Sequence, residues 1–363
     1  MYATKPLGKA QSLGYLMIGL SGFSLTDGEL TQLLHPAVAG VVLFSRNFES
    51  PEQLRVLTES IHVLRHPRLL VAVDHEGGRV QRFKTQGFTK LPAMAELGFL
   101  FDKHPQQALT LAQDLGWLLA SELLACGVDF SFAPVLDLDY GNSSVIGDRA
   151  LHHNPSVVGE LAEHIMKGMS LAGMASVGKH FPGHGHVVPD THVATAIDNR
   201  PLAALVSTDM QPFKILIRQY LAAVMVAHVI YPQVDELPAG LSSVWLKQIL
   251  RERLGFSGAI ISDDLGMVAV SELSDGATLS ERFRKAGCDL VLLCNNRAQI
   301  EQALLGLEDY EVDLVQETRL IRLHGRPKQH YSGLAALQLS TTWLNTVKRL
   351  AKVGWVDFEI KYD

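Results

Sequence analysis

Short runs of consecutive apolar residues recur along the chain at 15–20, 41–44, 69–73, 130–134, 175–179, 223–227, 259–261 and 290–293, and each closes on polar or glycine-rich residues. Segments with helical spacing lie between them. Continuous apolar strands alternating with helices read as a parallel sheet covered on both faces. Eight such units predict an α/β fold, a single-domain (β/α)8 TIM-like barrel, with an open doubly wound sheet as the alternative. The polar residues that follow the runs are Ser45-Arg46-Asn47, Asp74-His75-Glu76, Asp137, Lys179-His180, His228, Ser262-Asp263-Asp264 and Asn295-Asn296. In a barrel they gather at the C-terminal rim, where such folds keep their chemistry.

No linker composition, internal repeat or low-complexity tract interrupts this rhythm. Residues 1–363 are therefore read as one barrel domain, the last ~40 forming a C-terminal helical extension packed on it. In that extension Trp343, Leu344, Val347, Leu350 and Ala351 recur at helical spacing beside Lys348, Arg349 and Lys352. Such a face suits barrel closure better than a membrane surface.

The most chemically loaded stretch is 178–192, GKHFPGHGHVVPDTH. Lys179, His180, His184, His186, His192 and Asp190 stand on backbone that Pro182, Gly183, Gly185 and Pro189 keep non-helical. Acid/base groups displayed on irregular backbone predict an active-site loop. As a zinc site, His-x3-His-x-His matches no ligand spacing with a physical rationale. Loop packing and hydrogen bonding are the expected roles of His184 and His186, and no metal or cofactor is expected.

Net charge −6 and the absence of a Lys/Arg stripe argue against a nucleic-acid surface. Three cysteines, Cys126, Cys288 and Cys294, each in apolar context, argue against a disulfide framework and suit a reducing cytoplasm. The apolar stretch 13–20 after Lys5 and Lys9 is too short and lacks the small-x-small site of an export signal. No later run has the length of a membrane helix, so no membrane partner is expected.

Taken together, KHFPGHG with Asp190-Thr191-His192, and Ser262-Asp263-Asp264-Leu265-Gly266-Met267, resemble glycoside hydrolase family 3, and within it the single-domain NagZ-type bacterial β-N-acetylglucosaminidases. LFSRN at 43–47, VDHEGGRVQRF at 73–83, SFAPVLD at 131–137, IGDR at 146–149 and AHVIY at 227–231 extend the match in the right order. The resemblance implies that Asp263 is the nucleophile of a retaining mechanism, that His192 is the acid/base and that Asp190 orients it. A carboxylate on one ring nitrogen fixes the tautomer and leaves the other to serve the glycosidic oxygen. Asp264 is the rival for the nucleophile, since neighbouring strand residues point to opposite sides.

The resemblance also implies Asp74, Arg82, Arg149, Lys179 and His180 as the groups that hold the sugar. Glu76, Gly77 and Gly78 are expected to shape the turn after the third strand, and His228 either lines the pocket or is a satisfied rim histidine. His75, Gly266 and Ala150 depart from the family's usual Gln, Ser and Ser, which leaves subsite detail open. The activity implied is removal of non-reducing terminal N-acetylglucosamine from muropeptide fragments in peptidoglycan recycling, by a cytoplasmic monomer. The rivals are a family 3 glucosidase or xylosidase, phosphorolysis, a metal-dependent barrel hydrolase and a non-catalytic sugar-binding module.

Overall fold

The computed structural model describes residues 12–85, 87–187, 196–267, 276–307 and 312–357. Eight strands form one all-parallel sheet: β1 (Leu16–Gly19), β2 (Val38–Leu43), β3 (Leu70–Val73), β4 (Phe130–Ser131), β5 (Val177–Phe181), β6 (Ala223–Val226), β7 (Ala259–Asp264) and β8 (Leu290–Leu293). β1 pairs with both β2 and β8, so the first and last strands are joined. The remaining seam, between β4 and β5, is closed just beyond β4. There Ala133 O accepts from Val177 N (2.8 Å), Pro134 O from Lys179 N (3.2 Å), and Leu136 N donates to Lys179 O (2.6 Å). The sheet is thus a barrel, and the open doubly wound alternative falls.

β2, β3, β6 and β8 are buried along their whole length, as the unbroken apolar runs predict for strands covered on both faces. The strand bounds differ from expectation at two places that bear on the site. β5 runs on to Phe181, so His180 belongs to the strand itself as Lys179 does, and β7 continues through Asp263 and Asp264. Polar side chains at both positions hide the strand from an apolar-run reading, yet ladder bonds to neighbours hold the backbone extended.

Helices cover the outside. Pro105–Ala125 and Pro155–Ala172 each start with proline at the first turn, where its missing N–H costs nothing, and Asn154 caps the second by accepting from Ser156 N (2.9 Å). They pack closely because Gly116 and Gly168 face backbone. A Cβ at Gly168 would lie 2.0 Å from Gln113 O. The C-terminal helix Thr341–Ala351, capped by Ser340, buries Val347 and Leu350. Arg349 forks onto Asp114 at 2.6 Å and 2.6 Å, and Trp343 Nε1 donates to Glu122 (2.9 Å), so this helix is tied to Pro105–Ala125. Among the described residues no helix is long and apolar enough to cross a membrane. Cys126, Cys288 and Cys294 are buried free thiols.

Candidate active site

The C-terminal ends of the strands surround a cavity of about 290 Å³. Asp74, Arg82, Arg149, Lys179, His180 and Asp263, six residues scattered from 74 to 263 in the sequence, all line it. Two larger grooves, of about 460 and about 740 Å³, lie against the Pro105–Ala125 and Pro155–Ala172 helices, and each is lined by a single carboxylate, Asp114 or Glu163. Neither offers a second carboxylate or lies at the C-terminal strand ends, whereas Asp74, Asp263 and Asp264 share the rim cavity, so the smaller rim cavity is the site. Asp190 and His192 fall within 188–195, outside the described residues.

Lys179 is the hub. Only 2% of its side chain is exposed, and Nζ lies 2.8 Å from Asp74 Oδ1 and 2.6 Å from Glu76 Oε1. Burial would lower the ammonium pKa, but the Asp74 and Glu76 carboxylates outweigh it and raise it. Arg149 forks onto Glu76, Nε at 2.9 Å and Nη2 at 2.8 Å, and Arg82 Nη2 reaches Asp74 Oδ2 at 3.4 Å. Burial would raise Asp74 as well, yet Lys179 and Arg82 hold it below the usual carboxylate range. The Arg82 Nε has no hydrogen-bond partner among the described residues.

Glu76 therefore corrects the expectation of a mere turn former. Its short strand His75–Gly77 pairs antiparallel with Val80–Gln81, so the turn is real, but the carboxylate is buried and bonded to two of the cavity's cations, Arg149 and Lys179. Burial would push it up, whereas Lys179 and Arg149 bring it down to about 2. Asp137 is the second group the motif reading did not assign. It is fully buried and accepts from His180 Nδ1 (2.6 Å) and from the backbone N–H of His184 (2.6 Å). Because a carboxylate only accepts, Nδ1 of His180 carries a proton, which fixes the ring's orientation and leaves its Nε2 edge free of Asp137. A carboxylate followed by a family of strand-end histidines was the available signal; which histidine it meets was not in it.

Asp263 and Asp264 diverge as strand residues should. Asp264 accepts from Cys294 N (3.1 Å), Asn295 Nδ2 (2.9 Å) and Gly266 N (3.1 Å), which commits it to joining the ends of β7 and β8. Burial raises its pKa. Among the described residues, Asp263 accepts from the Asp264 amide (2.8 Å). Burial would raise its carboxyl, but the His180 and His228 rings, that amide and Lys179 keep it below the usual range, hence ionised at neutral pH. His228 is fully buried against Phe283, its Nε2 3.2 Å from Asp264 O, and does not line the cavity. It is a histidine beneath the rim rather than in the pocket.

His186 takes a packing role, whereas His184 also lines the cavity. His184 stacks edge-on to His180 with centroids 6.0 Å apart, and His186 edge-on to Tyr140 at 5.2 Å. No group of three or more metal-ligating side chains occurs among the described residues.

The sequence profile described as Glycosyl hydrolase family 3 N terminal domain matches residues 16–319. A protein of Methylobacillus flagellatus named beta-hexosaminidase is 48% identical over 351 residues, covering 97% of this chain and 99% of that protein. The crystal structure of native NagZ from Neisseria gonorrhoeae superposes with a TM-score of 0.88 at 43% identity, covering 95% of this chain and 98% of that one. The same protein in complex with N-trifluoroacetyl-D-glucosamine gives 0.87 at 43% identity, with 95% and 99% covered.

Proposed function

Since the chain belongs to glycoside hydrolase family 3, and is thereby a glycoside hydrolase, we propose that it is a retaining exo-β-N-acetylglucosaminidase. The observation that carries the reading is an ionised Asp263 at the wall of a cavity whose other charged residues are already braced to hold a sugar. At about 290 Å³ the cavity is at the small end of ligand sites, which suits one terminal sugar unit rather than an internal stretch of chain. Similarity to a beta-hexosaminidase, and to a NagZ seen with an N-acylglucosamine, supports the acetamido sugar.

In the mechanism we assign, Asp263 attacks the anomeric carbon as the bond to the leaving oxygen breaks, and His192 gives that oxygen its proton. A glycosyl-enzyme ester results. His192 then takes a proton from water, the water oxygen bonds to the anomeric carbon, and the Asp263 ester bond breaks with retention. Asp190 holds the His192 ring in the tautomer this requires. A neutral imidazole also avoids a second negative charge beside Asp263. Asp74 accepts hydrogen bonds from sugar hydroxyls, while Lys179, Arg82 and Arg149 donate. His180, oriented by Asp137 through Nδ1, has Nε2 left for a sugar hydroxyl.

The physiological substrates we assign are muropeptide fragments bearing terminal N-acetylglucosamine, handled by a monomer in the cytoplasm during peptidoglycan recycling. Three buried free thiols are consistent with a reducing compartment.

Initial rates on an aryl β-N-acetylglucosaminide and the matching aryl β-glucoside, in chelator and without phosphate, test the substrate assignment. We expect a preference of about 100-fold or more for the acetamido sugar, since a site built to bond a substrate amide rejects its absence strongly. Preference for the glucoside would overturn it. For His192→Ala, kcat/KM on an unactivated aryl glycoside is expected to fall by about 10²–10⁴-fold, with a far smaller fall for a dinitrophenyl leaving group that departs without a proton. Equal falls for both would remove His192 from the acid role.

A further inference from the structure

The segment 188–195, which carries Asp190 and His192, departs from the described structure at Val187 and rejoins it at Ala196. Both of its ends are built onto a charged cluster that no step above uses. On the leading side, Gly183 has φ +145° and is pressed against Asp209, where an added Cβ would lie 2.5 Å from the Asp209 Cβ. Its carbonyl accepts from Tyr231 Oη at 2.6 Å. A few residues on, His186 packs edge-on to Tyr140, with Nδ1 3.8 Å from Asp198. On the trailing side, Ala196–Ile197 pairs parallel with Val229–Tyr231, and Asp198 N donates to Ile230 O (2.9 Å).

One guanidinium joins the two sides. Arg200 donates from Nε (3.0 Å) and Nη2 (2.6 Å) to the Asp198 carboxylate, and from Nη1 to Asp209 (2.8 Å) and to Tyr140 Oη (2.9 Å). Asp209 also accepts from Tyr140 Oη (2.9 Å) and Thr208 Oγ1 (2.7 Å). The side chains of Asp198 and Asp209 are both 0% exposed, so two buried carboxylates share this cation. None of Tyr140, Asp198, Arg200 and Asp209 lines the sugar cavity. A cluster of this cost outside the cavity lining, yet at both roots of one short segment, has a job beyond packing the outer layer.

We infer that Arg200 is a positioning residue for proton transfer: by clamping Asp198 and Asp209 it fixes both ends of the segment that presents His192, without touching substrate. The inference rests on the reading of His192 as the acid/base. It separates two parts of the site. The sugar is held by groups braced through Lys179 and Glu76, and the acid/base is registered independently through Arg200. Disturbing the second should leave sugar binding intact and degrade only steps that need a proton.

Arg200→Lys keeps the charge but loses the fork that reaches both carboxylates at once. Its kcat/KM, which reports formation of the glycosyl-enzyme, is compared on phenyl and dinitrophenyl β-N-acetylglucosaminides beside His192→Ala, together with binding of N-acetylglucosamine by calorimetry. The expected result is a fall of about 10–100-fold with phenyl, less than about threefold with dinitrophenyl, and unchanged sugar affinity, as an ångström-scale misplacement of the acid would give. If Arg200→Lys does not fold, Tyr140→Phe, which removes one hydroxyl from the cluster, carries the same comparison with the same expected selectivity for phenyl. Equal falls on both substrates, or no fall on either, would reduce the cluster to a structural brace and overturn the inference. Should His192→Ala itself fail to discriminate the two leaving groups, the acid/base assignment is what has failed, whereas discrimination by His192→Ala alone condemns only the role of Arg200.

Discussion

Asp263→Asn is expected to yield a folded protein with turnover lowered by about 10⁴-fold, equivalent to about 5.5 kcal/mol of barrier. The backbone at this position is held from both sides, Ser262 in register with Val226 of β6 and Asp264 with Leu292 of β8, so an isosteric amide has no reason to move. It has no charge to form the ester. Loss of that charge leaves Lys179 with two carboxylate partners, so the cation stays compensated and the fold survives. Incubation with a slow 2-fluoro glycoside and intact-mass measurement checks the role directly. Wild type should gain one sugar on the peptide containing Asp263, and the variant none. Asp264→Asn is the control, because Asp264 is engaged by Cys294 and Asn295, and it should still form the adduct. A sugar found on Asp264, or turnover retained by Asp263→Asn, would sink the assignment. With its carboxyl below the ordinary range, Asp263 also places the acidic limb of kcat/KM lower than an unperturbed aspartate would.

The second large effect is expected at Glu76. Glu76→Gln keeps the volume but removes the charge between two buried cations, leaving Arg149 with only the Val145 carbonyl (3.1 Å) among its described acceptors and Lys179 with Asp74. Breaking one partner of a buried pair costs about 3–5 kcal/mol at neutral pH. Lys179 and Arg149 both line the cavity, so their loss of register should also lower kcat/KM by about 100-fold.

The pH dependence has a definite sign. Against burial, Lys179 and Arg149 hold the folded-state pKa at about 2, below the 4.5 of an ordinary glutamate, which stands for the unfolded chain. Between those values the unfolded chain binds more protons, so the stabilisation is complete above about 4.5 and drains away as pH falls toward 2. Urea unfolding of wild type and variant at pH 7 and pH 3 reads this out. The gap between them should narrow in acid. A gap under about 1 kcal/mol at pH 7, the size expected of an exposed pair, or one that does not change with pH, would show that Glu76 is not the brace described here.

Much of the architecture is legible in the sequence. Parallel strands buried on both faces must be apolar throughout, so β2, β3, β6 and β8 stood out as unbroken runs, and their polar successors were already rim residues. Six of the residues singled out for the sugar and the nucleophile meet in one cavity. Glu76 was misjudged because its partners are remote: Arg149 is 73 positions away, and nothing in the local GlyGly turn distinguishes a carboxylate that faces solvent from one that faces two cations. Asp137 and His180, 43 positions apart, pose the same problem.

Chain order and residue type were enough for the parallel barrel, the rim address of the chemistry and the family, because backbone periodicity and strand burial act locally and leave a mark at each position. Which of Asp263 and Asp264 keeps its charge free for a ligand, which histidine Asp137 orients, and how one arginine joins Asp198 to Asp209 were decided only by the closed barrel. Those choices depend on distances between side chains that share a rim but not a neighbourhood in sequence, and a hydrogen bond or ion pair is set by that distance alone.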